Sequence, residues 1–467
     1  MLTQDPYEWA GKTVGNADLG DIRRTKRLVD VLGRMASHVG QSLSKCCPAD
    51  AAARLGGYRL LRNEQVDPRA ICEAGFAQTA RLAQEHEVLL ALEDTTKVGY
   101  EHEAAQELGQ TGTKANAKRR GFAVHSVLLV EAAREGTVGL IEQTPWCRQP
   151  SGHDKKHQRQ ARPYSEKESY KWEHASEQMA ARLGPAMTRT ISVCDREADL
   201  YEYLSYKLQQ GQRFVVRAKV DRKVLESQSN LFETLKSQAP AVCSYPVKVE
   251  QRAGRPGRTV AVQLHALSVR LAAPQKRPAD SPVLELNAIW AQQIEPGEPG
   301  QEPLCWVLLT SEPIGSAEQA FKVVRYYELR WRIEEYHKAW KSGVGVERQR
   351  FASAQNLERM MAITALLAVR LLQLREAGQP SSADESEQSC QSLLEPMEWK
   401  ILWMSTEKKR PLPEVPPSAR WAYLAIARLG GFADTKRTGR PGWDALWEGW
   451  FRLQERLQGY YLSQQAV

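Results

Sequence analysis

In DLGDIRRTKRLVDVLGRMASHVG the apolar residues Leu28, Leu32, Met35 and Val39 recur at helical spacing. That spacing predicts a helix, and residues 1 to about 70 read as helical. From about Glu87 to Leu200 the texture changes to short apolar runs. EVLLALEDTT (Glu87–Thr96), VHSVLLVEA (Val124–Ala132), GTVGLIEQ (Gly136–Gln143) and RTISVCD (Arg189–Asp195) read as buried strands. SEKESYKWEHASEQMAARL (Ser165–Leu183) reads as a helix before the last of them. Residues 210–312 alternate or run apolar between Gly/Pro turns, with RAGRPGR (Arg252–Arg258) as a hairpin loop. Helical periodicity returns at Ser316–Lys341 and Asn356–Ala377. Gly378–Ser392 is polar, acidic and Ser-rich, as a linker would be. Another helical part starts near 417, where Trp443, Trp447 and Trp450 share a face that suits a core or an oligomer interface.

Strands mixed with helices predict an α/β class. The expected division is a helical N-terminal part at 1–70 and a core at 71–377 with a β-rich insertion at about 210–312. A linker at 378–416 and a C-terminal helical part at 417–467 complete it. The length of 467 residues exceeds one ordinary core and supports several domains. The N-terminal part reads either as a small DNA-binding bundle or as a charged helical cap on the next domain.

Composition narrows the function. The longest apolar run, Met360–Leu374, is interrupted by Arg370 and is too short to span a bilayer, so a buried helix is expected and no membrane partner. The eight cysteines form no CxxC pair, which suits a reducing cytoplasm and argues against a zinc ribbon. Lys and Arg exceed Asp and Glu only by 64 to 56, but the basic residues cluster. RRTKR (Arg23–Arg27), KANAKRR (Lys114–Arg120), RAKVDRK (Arg217–Lys223), RAGRPGR and TKRTGR (Thr435–Arg440) are the clusters. Local basic patches in a near-balanced chain point to a polyanion, with acidic sites elsewhere.

Three acids carry the candidate chemistry. Asp94 and Asp195 each follow an apolar run, so each is expected near the C-terminal end of a buried strand. An isolated carboxylate there is costly unless paired or bound to a cation. The third, Glu334, lies in YYELRWRIEEYHKAWK. On a continuous α-helix, Arg330, Glu334 and Lys341 fall at about 300°, 340° and 320° from Tyr327, in one strip. Helix pairing alone accounts for Arg330 with Glu334 at about 0.2–0.5 kcal/mol. Three carboxylates also suit two Mg²⁺ ions about 3.5–4 Å apart, an arrangement that stabilises in-line phosphoryl transfer. A sugar hydrolase would use paired carboxylates too, but the basic clusters have no role there.

LEDTT with Asp94, VCDREADLYEYL with Asp195 and YELRWRIEEYHKAWKSGVGVERQR with Glu334 resemble the bacterial cut-and-paste DDE transposases of the IS-four family, the group of the Tn-five transposase. The Tyr-Arg-Glu-Lys signature falls on Tyr327, Arg330, Glu334 and Lys341. LGDIRRTKRL, YRLLRN, VHSVLL, RFVVR, NLERM, WAYLAIARLGGF and LWEGW extend the likeness over most of the chain. The resemblance implies an RNase H-like core with a β-rich insertion, in which Asp94, Asp195 and Glu334 hold two Mg²⁺ ions, or Mn²⁺ in their place. It implies nicking of double-stranded DNA at the element's ends, hairpin formation, hairpin opening and joining of the 3′-OH to target DNA by a homodimer. Trp306 falls where the family stacks a flipped base. Tyr327, Arg330, Lys341 and Arg217 fall at phosphate contacts. Arg23, Arg24, Arg27 and Arg62 are the candidates for reading the end sequence. The stretch Ser151–Tyr164, with His153 and His157, receives no role beyond possible DNA contact. A non-catalytic DNA-binding regulator descended from a transposase is the alternative.

Overall fold

The computed structural model describes residues 5–38, 40–111, 119–148, 162–225, 227–249, 258–275, 277, 281–295, 303–351, 353–377, 389–435 and 441–465. Expectations placed on Val39, most of the 114–120 and 252–258 clusters, residues 149–161 with both histidines, 378–388 and 436–440 lie outside these residues.

Among the described residues ten strands share one mixed sheet. They are β1 (Leu89–Tyr100), β2 (Gly109–Gln110), β3 (Arg120–Glu131), β4 (Thr137–Trp146), β5 (Thr190–Cys194), β6 (Arg213–Arg217), β7 (Ala241–Val249), β8 (Arg258–Leu271), β9 (Leu284–Gln293) and β10 (Cys305–Thr310). The order is β2-β3-β1-β5-β6-β10-β9-β8-β7, with β4 on the outer side of β3. β1, β5 and β6 run parallel, while β3 and β10 are antiparallel to their neighbours. The parallel strands are buried on both faces, which is why LLAL and ISVC read as unbroken apolar runs rather than alternating ones. The strands expected as an insertion at 210–312 continue this same sheet outward from β6.

Four helices open the chain: α1 (Pro6–Val14), α2 (Ile22–Ser37), α3 (Ala51–Arg62) and α4 (Pro68–Ala83). Asp5, Asp21, Asp50 and Asp67 each cap the helix that follows by accepting backbone N–H bonds. The helices pack on the long helix Ala354–Ala377, which the apolar run predicted as buried. Its Arg359 is almost wholly buried and donates to the Val66 carbonyl at 2.6 Å and the Leu61 carbonyl at 3.2 Å. Its Arg370 lies 4.8 Å over the Trp9 ring, and burial pulls that guanidinium down to about 10. No described helix is long and apolar enough to cross a membrane.

A buried ionic cluster fastens α4 and α5 (Lys171–Leu183) to β4. Glu142 of β4 is wholly buried and accepts from Arg69 at 2.7 and 2.8 Å and from Arg182 at 2.7 Å. Burial alone would raise its carboxyl, but Arg69 and Arg182 outweigh it and hold the group at about 2. Glu73 completes the cluster by accepting from Arg182 at 2.7 and 2.9 Å.

Part of the expected linker is folded. Residues Pro396–Thr406 form a helix with a capping box between Glu395 and Glu398. The Trp stripe points inward: Trp443, Trp447 and Trp450 line a small apolar cavity with Leu371, Tyr423 and Ile426. Trp443 also lies under the Arg375 guanidinium at 4.5 Å.

Candidate active site

The register of β1 with β5 places the first two acids. Glu93 pairs with Cys194 in the parallel ladder, so Asp94 and Asp195 are the next residues on adjacent strands. Parallel neighbours lie about 4.8 Å apart, so the two acids stand side by side. Asp195 follows the end of β5 as expected, but β1 runs on to Tyr100 against β3, so Asp94 lies mid-strand and not near its C-terminal end. Asp94 sits within β1 and its Oδ1 accepts the Thr95 N–H at 2.8 Å. Asp195 caps the turn Arg196–Ala198 by accepting from the Glu197 N–H at 2.8 Å.

The third acid arrives from a helical segment that is not one continuous α-helix. The first part, α6 (Ala317–Glu328), ends at Glu328; α7 (Trp331–Lys338) follows, and Ala339–Gly343 is a π-helical turn. The bonds Arg330 N–H to Tyr327 O (3.1 Å) and Ile333 N–H to Arg330 O (3.2 Å) tighten the junction. The single strip computed from 100° per residue is therefore corrected: its four residues come from three differently wound segments. The π turn carries Lys341, and Gly345 at φ +74° then ends the segment in a left-handed conformation.

Tertiary packing nevertheless gathers most of the strip. Arg330 lies between two acids, with Nη1 3.9 Å from Asp94 Oδ2 and Nη2 on Glu334 Oε1. Burial pushes Asp94 up, Arg330 and the Thr95 N–H pull it back, and the charges of Asp195 and Glu334 raise it again; it rests at about 6. Asp94 thus feels the charges of both other acids. They do not close into a cage: Glu334 is turned to Arg330 and half-exposed, and no group of three or more His, Cys, Asp and Glu among the described residues could hold an ion. Lys341 is half-buried; burial lowers its ammonium, against the attraction of Glu347 and Asp94.

A second row leads away from these acids. Trp306 of β10 meets the ring of buried Tyr327 edge-on at 5.4 Å. Arg217, at the end of β6, donates to the Cys305 carbonyl beside Trp306 at 3.3 Å. The N-terminal candidates lie on the separate surface of α2 and α3. Arg23 and Arg62 are exposed, although Arg23 pairs with Asp21 at 2.7 Å. Arg24 is partly taken up by the Leu19 carbonyl at 2.9 Å, and Arg27 by Asp30 at 3.0 Å.

Two residues near the acids went unassigned in the sequence. His337 is buried, its Nδ1 4.0 Å from Asp94 Oδ2, and burial with the charges of Lys341, His125 and Arg330 drops it to about 3, so the imidazole is neutral. Its place three residues after Glu334 was the available signal. Glu347 accepts from the Gly99 N–H at 2.9 Å and from Arg119 at 2.8 Å, beside Lys341. Nothing in its local sequence separates it from an ordinary surface acid.

Two family models match. The description of one is Transposase DNA-binding, over residues 6–66, which covers α1 to α3. The other is the Transposase DDE domain, over residues 40–370, from α3 across the whole sheet into the long buried helix. The chain belongs to the DDE transposases. It is a DNA transposase, with DNA as its partner and a domain of the kind that cleaves DNA with divalent metal. The mixed ten-stranded sheet with its helices is consistent with that family.

The raised carboxyl of Asp94 has a consequence for the transposase without metal. Its protonated form prevails in the fold below about 6, against 3.8 for the free side chain. The folded state therefore binds the extra proton between these values, and stability falls as pH rises through them. Asp94→Asn removes this penalty. It should stabilise the metal-free protein by about 1–3 kcal/mol at pH 7.5 and by nothing at pH 3.5. Denaturant unfolding of both proteins in a chelator, at the two pH values, measures it. Equal stability at pH 7.5 would refute the burial argument.

Proposed function

We propose that this transposase belongs to the IS-four type and excises its element with an RNase H-like core. Asp94, Asp195 and Glu334 are its catalytic and metal-binding acids. The carrying observation is that Asp94 and Asp195 each follow the last pair of the parallel β1–β5 ladder, with Arg330 joining Asp94 to Glu334. The donor chemistry fits a divalent cation. All three groups are hard oxygen ligands, burial and then the charges of the other two acids raise Asp94, and the Arg330 guanidinium is the positive charge now set among them. Two Mg²⁺ ions, or Mn²⁺, would supply stabilisation of the attacking and leaving oxygens of the phosphodiester.

The chain's own residues then divide the remaining work. Arg330 exchanges its hold on Glu334 for a phosphate oxygen, leaving the carboxylate free. Tyr327 braces Trp306, whose half-exposed face receives a flipped base; such stacking contributes about 1–3 kcal/mol. Arg217 and Lys341 hold phosphates near that base. The exposed side chains of α2 and α3, with Arg23 and Arg62 foremost, read the element's end. The sequence of steps is nicking, hairpin formation, hairpin opening and 3′-OH joining, in a homodimer in the bacterial cytoplasm. Incubation with the element's own ends and Mg²⁺ tests this. Hairpin-ended products are expected, and none should form in a chelator. Metal-dependent cutting with open ends only would sink the hairpin route.

A further inference from the structure

Asp199 lies at the far end of the turn that begins with Asp195. Its side chain is wholly buried. Oδ2 accepts the Lys219 N–H at 2.6 Å and the Val220 N–H at 2.7 Å, while Oδ1 accepts from Arg222 Nη1. Arg222 Nη2 returns to the Asp199 carbonyl at 3.0 Å, so one residue is gripped at side chain and backbone. Arg222 is itself buried, a rare state for an arginine on a loop. A paired buried carboxylate of this kind fixes geometry, because losing one partner leaves the other uncompensated.

The two ends of this grip are informative. One is the turn Asp195–Leu200, closed by the Ala198 N–H on Asp195 O at 3.2 Å and the Leu200 N–H on Ala198 O at 2.8 Å. The other is the loop after β6, which follows Arg217 and exposes Lys219, Val220, Asp221 and Lys223. That loop is also tied to β10, through the Ala218 N–H on Val307 O at 2.7 Å, next to Trp306. Further along, Asp221 Oδ1 accepts the Phe232 N–H at 2.9 Å and the Arg222 carbonyl accepts the Leu231 N–H at 2.8 Å, so exposed Lys219 and Val220 are the part of the loop that depends on Asp199.

We infer that Asp199 and Arg222 are positioning residues, a buried ion pair that locks the basic loop 218–223 to the turn carrying Asp195. The acid site and the edge where Arg217 and Trp306 stand then keep one geometry while DNA is bent across them. The inference rests on the catalytic reading of Asp195 given above, and it adds residues that touch neither metal nor DNA. A loosened turn misplaces Asp195, and small misplacements of this kind cost about 10²-fold in rate.

The test compares wild type with Asp199→Asn and Arg222→Lys in the full chain. In Asp199→Asn, tryptic cleavage after Lys219 should quicken by about tenfold or more, read without metal or DNA. Nicking at saturating DNA and Mg²⁺ should fall by about tenfold to a hundredfold, with metal-free end binding within about threefold of wild type. Arg222→Lys, which keeps a cation, should recover part of both losses. It also serves if Asp199→Asn folds poorly. Nicking at the wild-type rate despite a loosened loop would overturn the inference. So would a loss of nicking and binding together, in proportion to unfolded protein. A wild-type protein that fails to nick its ends with metal would instead sink the transposition chemistry, while the tryptic comparison still decides the clamp.

Discussion

Asp94→Asn, Asp195→Asn and Glu334→Gln should each lose about 10³-fold or more in strand cutting, some 4 kcal/mol of transition-state stabilisation. The amides keep the size of the carboxylates and remove the charge. For Asp94 the surroundings were built around a group that resists ionising, pushed up to about 6 by burial and by its fellow acids. A divalent ion is the partner that turns this repulsion into attraction, and an amide cannot serve as well. End binding should stay within about threefold of wild type, since the proposed phosphate contacts come from other residues and the proposed base reading from α2 and α3. The assay is a gel separation of nicked, hairpin and uncut ends at fixed Mg²⁺. An amide that cuts at the wild-type rate removes its residue from the mechanism.

Glu142→Ala should destabilise the protein by about 3–5 kcal/mol, because it strips a buried carboxylate from two guanidiniums at once. Arg69 and Arg182 would face each other across the gap, and α4 and α5 would lose their common fastening to β4. The pH dependence has a definite sign. The carboxyl is held at about 2 against 4.5 for the free side chain. Its contribution is complete above 4.5 and is lost as pH falls through 2. Urea unfolding of wild type and Glu142→Gln should therefore differ most near neutrality and converge on acidification. A difference that stays constant down to pH 2.5 would show that packing, not charge, carries the effect.

The elements of this fold were largely legible. Leu89–Leu92 and Thr190–Cys194 declare themselves because parallel strands are buried on both faces, and burial writes itself locally as an apolar run; β1 was read as ending at Thr96 and runs on to Tyr100, because its outer part pairs only with β3. The long buried helix Ala354–Ala377 was equally plain, despite Arg359 and Arg370, whose charges are met by carbonyls and a Trp ring that no local pattern reveals. The helix carrying the signature was read as one rod. It is broken at Leu329–Arg330 and widened at Ala339–Gly343, because the bonds that break it depend on what each turn packs against. A single phase of 100° per residue cannot represent that.

By itself the sequence determined which apolar runs are buried and which signature spacing the acids keep, since each of these is set by neighbours along the chain. It could nominate Asp94, Asp195 and Glu334. Only the tertiary structure decided that the first two stand on adjacent strands, that Arg330 holds the third, and that His337, Asp199 and Arg222 belong to the same neighbourhood. Those relations are pairings between distant segments, fixed by sheet register and buried charge, and register is an energy of the whole fold.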